Sequence, residues 1–260
     1  MFFGINTLNA SVNSYGQLGY INTPSAFTFS ESSIYLGINR GEPDRKFNFT
    51  LSPFNFLDLS IFYVDITGKD YPGNFKQSYK DKGFNAKLNI LKLDDSSLSI
   101  GFNDLAGTGI YSSEYLVFSK QSEDFDFSFG LGWGLYNDGI TLSNPLRGRT
   151  RQVERDLGGT LNPEVYFSGE EASIFGAIKY NYNQSLSILM ELDPTRESSN
   201  IGYDFQSNIN YGVEYVNDDY FIKLSHIRGS EITFQIGLFQ NFMKFNSYPL
   251  RHKSEKVNSY

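Results

Sequence analysis

The 260-residue sequence predicts an all-β fold, an antiparallel up-and-down meander forming an outer-membrane-type β-barrel of about 12–14 strands. Three observations predict it. Apolar and polar residues alternate with period two in segment after segment. Short polar turn clusters separate those segments. The composition holds 24 Phe, 18 Tyr and 24 Gly at a mean hydropathy of −0.35, which suits strands with one greasy face and one small or polar face. Helical periodicity is missing, and no run of 18 apolar residues offers a transmembrane helix.

The elements follow in order. MFFGINTLNASVNS, residues 1–14, reads as a possible remnant of a signal peptide: LNAS resembles a cleavage site, but no basic residue precedes Arg40. An ordinary mature N-terminus is the alternative. A barrel domain is expected over residues 15–242. SIYLGINR puts Ile34, Leu36 and Ile38 on one face, and LDLSIFYVD puts Leu57, Leu59, Ile61 and Tyr63 there, with Phe62 and Val64 blurring the other face. GFNAKLNI sets Phe84, Ala86, Leu88 and Ile90 against Gly83, Asn85, Lys87 and Asn89, and SLSIGFN alternates in the same way. FDFSFGLGWGLY is the cleanest case. Phe125, Phe127, Phe129, Leu131, Trp133 and Leu135 share one face, which is expected to point outward. SLSILMELD, NINYGVEYV and EITFQIGLFQNF continue the pattern. RGEPDR, KLDDSS, KQSEDF, YNQS, YVNDDY and HIRGSE are the connecting turns. A long loop is expected at 137–163, and a polar basic tail at 243–260.

A soluble β-sandwich also alternates, so the greasy face meets either lipid or a protein core. A sandwich normally shows Lys, Glu and Thr outside, whereas here the polar faces are Gly, Ser and Asn with scattered charges. That suits a barrel lumen. Closure also removes the edges of Phe-rich strands that would otherwise aggregate. The formal net charge of −7 argues against nucleic acid as a partner. The lack of cysteine removes disulfides, thiolate metal sites and thiol nucleophiles.

Chemistry-bearing residues are sparse. The glycine-rich GLGWG and AGTGIYSSE do not open helices, so no phosphate cradle is expected; such glycines relieve crowding or admit an aromatic over a neighbouring backbone. Asp104 reads as a turn aspartate bonding local N–H groups, or else as a mouth carboxylate for an ion or sugar. The pairs Asp94/Asp95 and Asp218/Asp219 read as solvated hairpin tips. His226 ends a strand without a partner constellation and reads as structural or interfacial. No catalytic residue, metal site or cofactor is expected. Four arginines, Arg147, Arg149, Arg151 and Arg155, fall within nine residues of the long loop. Guanidiniums bind carboxylates through paired hydrogen bonds, so these four are the candidate contacts for an anion or acidic polysaccharide. The loop is expected to fold into or across the barrel mouth, bringing at least two of them to lumen carboxylates or open space. An exposed loop partly neutralised by Glu154 and Asp156 is the alternative.

The blocks GYINTPSAF, NFTLSPFNFLDLSIFY, YKDKGFNAKLNIL, LSIGFNDLAGTGIYSSEYLVFSK and FSFGLGWG follow in an order that resembles the YjbH/GfcD family of Gram-negative outer-membrane proteins. YFSGEEASIFGAIKY, LSILMELDP, NINYGVEY and IKLSHIRGSEITFQIGL continue it, from about Gly16 to about Leu238. DLAGTG…SSEYLVFSK and NYGVEY…RGS are its most specific parts. The family is associated with exopolysaccharide and group 4 capsule production. Its members are usually longer, so the chain resembles their N-terminal portion. Some carry a lipoprotein-type N-terminus, for which this sequence has no cysteine. The resemblance implies an outer-membrane barrel that assists exopolysaccharide or capsule assembly or export without catalysis. The implied partners are outer-membrane lipid, a polysaccharide and other exopolysaccharide or capsule proteins. A generic pore or structural outer-membrane protein, a soluble glycan-binding sandwich and a glycan-cleaving enzyme are the competing readings.

Overall fold

The computed structural model describes residues 11–71, 76–146, 150–151, 159, 161–196, 201–202 and 206–243. Its strands are β1 (Ser33–Arg40), β2 (Asp44–Phe54), β3 (Leu57–Asp70), β4 (Ser78–Lys92), β5 (Ser96–Asn103), β6 (Ser113–Gln121) and β7 (Phe125–Gly134). They continue as β8 (Ile140–Ser143), β9 (Glu171–Asn181), β10 (Leu186–Leu192), β11 (Ile209–Val216), β12 (Tyr220–Ile227) and β13 (Glu231–Asn241). Twelve of them close a ring: each of β1 to β6 pairs with the next, β7 pairs with β9, each of β9 to β12 pairs with the next, and β13 returns to β1, all antiparallel. β8 pairs with β9 beyond the end of β10, so the stretch expected as one strandless loop at 137–163 contains a short strand. Closure leaves the ring no free edge, and its backbone groups bond within the wall.

Side chains alternate across that wall. Asp44, Lys46, Asn48, Thr50 and Ser52 of β2 are buried inside, while Phe47 and Leu51 are exposed. The exposed set continues around the ring. Leu57, Leu88, Ile100, Leu116, Leu131 and Ile174 form one unbroken cross-strand row. Phe127, Ile178, Met190, Tyr211, His226 and Ile232 form another. The apolar faces therefore make a belt on the outside and not a core between two sheets.

The wall begins with β1 at Ser33; residues 11–30, including Ser11–Ser14 of the stretch read as a possible leader remnant, lie within the ring. Two expectations need correction. Of the six residues expected outside, Phe125, Phe127, Phe129 and Leu131 follow the pattern, and Phe129 is 57% exposed. Trp133 keeps the outward parity but is 0% exposed, covered by Phe167 edge-on at 5.1 Å. Leu135 turns inward because Gly134 adopts φ +72°, after which the chain leaves the ladder and Leu135 joins the interior cluster. A side chain on Gly134 would also meet the Ser112 carbonyl oxygen at 2.5 Å.

Inside, aromatic rings lie over glycines. A Cβ on Gly37 would stand 1.8 Å from the Tyr35 hydroxyl, and one on Gly101 would stand 2.1 Å from the Tyr115 ring. The blurred alternation at Phe62 and Val64 has its reason here too: both point inward onto Tyr15 and Tyr111.

Candidate functional site: a filled lumen

Residues 11–30 form a folded loop inside the barrel. The loop closes on itself through the bridges Val12–Leu18 and Gly19–Pro24, and it adds no strand to the wall. Its backbone polar groups therefore need other partners, because a buried unpaired N–H or C=O is expensive. The wall supplies them from side chains. Asn48 donates to the carbonyl of Ser14, Thr50 to that of Gly16, and Asn85 to that of Tyr15. Ser99 and Asn89 donate to the Ala26 carbonyl, and Ala26 N–H donates to Ser119 Oγ at 2.7 Å.

Charged wall residues make the densest contacts. Lys87 Nζ donates to the carbonyls of Leu18, Ser25 and Phe27 and stands 3.5 Å from Asp58. Lys223 Nζ donates to the carbonyls of Val12 and Tyr20 and to Ser11 Oγ, and stands 3.1 Å from Glu214. The Glu191 carboxylate does the converse. It accepts the N–H groups of Ile21, Asn22 and Thr23 at 2.8–3.0 Å, plus the Thr23 hydroxyl. Lys46 pairs with Asp44, and Lys179 with Asp126. Among the buried, lumen-facing strand residues, four lysines (46, 87, 179, 223) thus face six carboxylates (Asp44, Asp58, Asp81, Asp126, Glu191, Glu214).

Tyr15 is the loop's apolar anchor. Its ring meets Phe62, Tyr111 and Tyr136 edge-on at 6.0–6.5 Å, with Lys46 Nζ 4.2 Å from its centroid. A second cluster joins Val12 and Phe29 of the loop to Tyr35 and Phe221 of the wall.

The connections differ between the two ends. Residues 55–56, 93–95, 122–124, 182–185 and 217–219 are the short turns at one end. The connections 71–77, 104–112, 135–170 and 193–208 lie at the other, with the short turns 41–43 and 228–230. The inserted loop joins the wall at the short-turn end, through residues 31–32.

At the long-connection end, Asp104 (φ +56°) donates its N–H to Asn85 and accepts the Tyr111 N–H, the local turn role expected for it. Its Oδ1 is buried without a hydrogen-bond partner. Burial first, and the nearby Asp81 second, push its carboxyl up to about 7.

Of the four candidate arginines, Arg147, Arg149 and Arg155 lie outside the described residues. Arg151 does not reach the lumen. Its guanidinium grips Glu114 with two bonds of 2.7 and 2.8 Å and adds Ser112 Oγ. Glu114 sits on the outward parity of β6, between Phe102 and Trp133 in the ladder. Tyr166 and Phe167 pack on Phe102, and the Phe167 N–H also bonds Glu114. The loop is thus pinned against the outer wall near the rim. The signal for this was a lone carboxylate in phase with Leu116 and Phe118.

His226 stacks on Tyr211 at 5.0 Å on the outer face, the interfacial placement. Asp95 lies at an exposed turn, paired with Lys120 at 3.2 Å. Among the described residues no group of three or more His, Asp or Glu could hold a metal ion.

Residues 11–259 match the YjbH family model, described as "Exopolysaccharide biosynthesis protein YbjH". The lipoprotein YjbH of Escherichia coli (strain K12) is 29% identical over 254 residues, covering 90% of this chain and 36% of that protein. The KdgM porin structure aligns at TM-score 0.45 and 13% identity, over 81% of this chain and 99% of that one. The NanC porin aligns at 0.40 and 10%, over 79% and 97%. A family match running from the inserted loop through the last strand makes the chain a member of the YjbH family.

Proposed function

We propose that this barrel spans the outer membrane of a Gram-negative bacterium and assists exopolysaccharide or capsule assembly or export without catalysing a reaction. The observation that carries the reading is the apolar belt outside a closed ladder whose inside is polar. Only a membrane makes that inversion favourable, since lipid replaces the core against which those side chains would otherwise pack. The difference between the two ends supports an orientation. Outer-membrane barrels keep short turns on the periplasmic side and long connections outside the cell. The inserted loop then enters from the periplasm, and the connections after β3, β5, β7 and β10 face the outside of the cell.

Family membership supports the polysaccharide link, with lipid, a polysaccharide and other exopolysaccharide or capsule proteins as partners. The buried lumen carboxylates support a non-catalytic role: Asp44, Asp58, Asp126 and Glu214 are in ion pairs, and Glu191 is spent on backbone N–H groups. With Arg151 committed to Glu114, Arg147, Arg149 and Arg155 are the remaining candidate contacts for an acidic glycan. A purely structural outer-membrane protein is the second reading, favoured by the filled lumen.

The test is a deletion strain complemented with the gene. The protein should fractionate with outer membranes, migrate faster on gels before heating than after, and restore exopolysaccharide yield. Normal yield without the gene would leave the structural reading. Glycan cleavage by the purified protein would overturn the non-catalytic one.

A further inference from the structure

We propose that residues 11–30 are a withdrawable occupant of the lumen, and that the wall groups holding them form a binding path for a neutral, hydroxyl-rich glycan. The inference rests on the outer-membrane reading and deepens it.

Three observations support it. The wall recognises the loop mainly by its backbone. Lys87 and Lys223 collect carbonyls while Glu191 collects N–H groups. Such a wall would serve any flexible chain dense in donors and acceptors, which a polyol is. Next, no ladder joins loop to wall, so its exit breaks no sheet. Lys87 and Lys223 keep Asp58 and Glu214 as partners after it leaves, and water can take the vacated carbonyl positions. Finally, six buried carboxylates against four lysines make the emptied path acidic, so it would repel a polyanion and admit a neutral glycan.

Tyr15 sets the barrier. Its aromatic contacts keep the loop seated at rest, so opening needs a load or a ligand.

The experiment is single-channel recording of the full chain in planar bilayers. Three forms are compared: the parent, Tyr15→Ala, and a double variant, Ala26→Cys with Ser119→Cys. The sequence holds no other cysteine, so the cross-link is unambiguous. The parent should be closed with rare openings under voltage. Y15A should open at least tenfold more often. The oxidised double variant should not open, and reductant should restore its openings. Heat-modifiable Y15A without added openings would overturn the proposal by making the loop fixed core. If Y15A fails to assemble, the parent decides: openings abolished by the cross-link support withdrawal, and none up to membrane rupture overturns it. A neutral maltodextrin should block open channels at concentrations at least tenfold below an oligogalacturonate of equal length, and the reverse order would overturn the glycan class. Exopolysaccharide yield in cells reports separately on the outer-membrane reading, so the two fail independently.

Discussion

Two buried ion pairs of this barrel have opposite surroundings. Lys87–Asp58 faces the lumen, both side chains 0% exposed, beneath three carbonyls of the inserted loop. Arg151–Glu114 sits on the outward parity among Trp133, Phe102 and Phe167, where lipid would otherwise lie. A lumen charge stripped of its partner can recruit water through a loosened loop. A charge on the outer wall has no such recourse. The price of a broken pair is thus set by what can replace the lost partner, more than by the pair's own geometry.

The largest effect should follow from Arg151→Ala. Glu114 would keep only the Phe167 N–H, and the collar around residues 163–170 would lose its clasp. Destabilisation of about 3–5 kcal/mol is expected in urea unfolding from detergent. An Arg151→Met, Glu114→Leu double variant should recover most of it, because both charges then leave together. Equal loss in single and double variants would mean the pair matters only for shape.

Lys87→Met should cost less, about 1.5–3 kcal/mol by the same measurement. It frees three loop carbonyls and isolates Asp58, which keeps Ser52 Oγ at 2.6 Å and the Phe29 N–H. Proteolysis of the loop in intact membranes should accelerate in this variant and stay unchanged in Arg151→Ala. If both variants exposed the loop equally, the two pairs would be one cooperative unit.

Glycines sharpen the same contrast. Gly37→Ala drives a methyl into the Tyr35 hydroxyl in the crowded lumen and should destabilise by about 1–3 kcal/mol. Gly176 pairs with Phe129 on the outer face, and its nearest neighbour for an added methyl is the Ser128 carbonyl oxygen at 3.2 Å. Gly176→Ala should therefore stay within about 0.5 kcal/mol of the parent. Similar losses at both sites would show that the inner packing is looser than the distances imply.

The outer face was legible because lipid imposes one requirement, apolarity, at every second residue. Phe125 to Leu131 and Leu57 to Tyr63 show it directly. The lumen was legible only as its complement. Asn48, Thr50, Asn85 and Ser99 read as generic polar positions, because the groups they bind are backbone atoms, and backbone atoms leave no mark in residue type. For the same reason nothing in the sequence marked residues 15–30 as an occupant of the interior. The blurred phase at Phe62 and Val64 was the one sign that something apolar occupied the interior. Arg151 was singled out for its charge, while its position depended on Glu114, thirty-seven residues away in sequence.

A further small effect concerns a carboxyl that belongs to neither pair. Asp104 caps the β5–β6 connection, and burial holds its carboxyl up at about 7. Its Oδ1 fits the space left by Gly107 and Gly83, where added Cβ atoms would stand 1.6 and 2.5 Å away. A folded value above the unfolded one, about 4, means the native state binds the proton more tightly. Its contribution is present in full below about pH 4 and is lost as pH rises through about 7. Asp104→Asn keeps the left-handed backbone, which asparagine tolerates, and the acceptor for the Tyr111 N–H. It removes only the titration. The variant should therefore be more stable than the parent at pH 8, by about 1 kcal/mol once the connection relaxes, and nearly equal to it at pH 4. Unfolding midpoints in detergent at the two pH values check this. An advantage that is the same at both would assign the effect to the amide's added hydrogen bond, and the ionisation of Asp104 would then play no part in how this end of the barrel holds together.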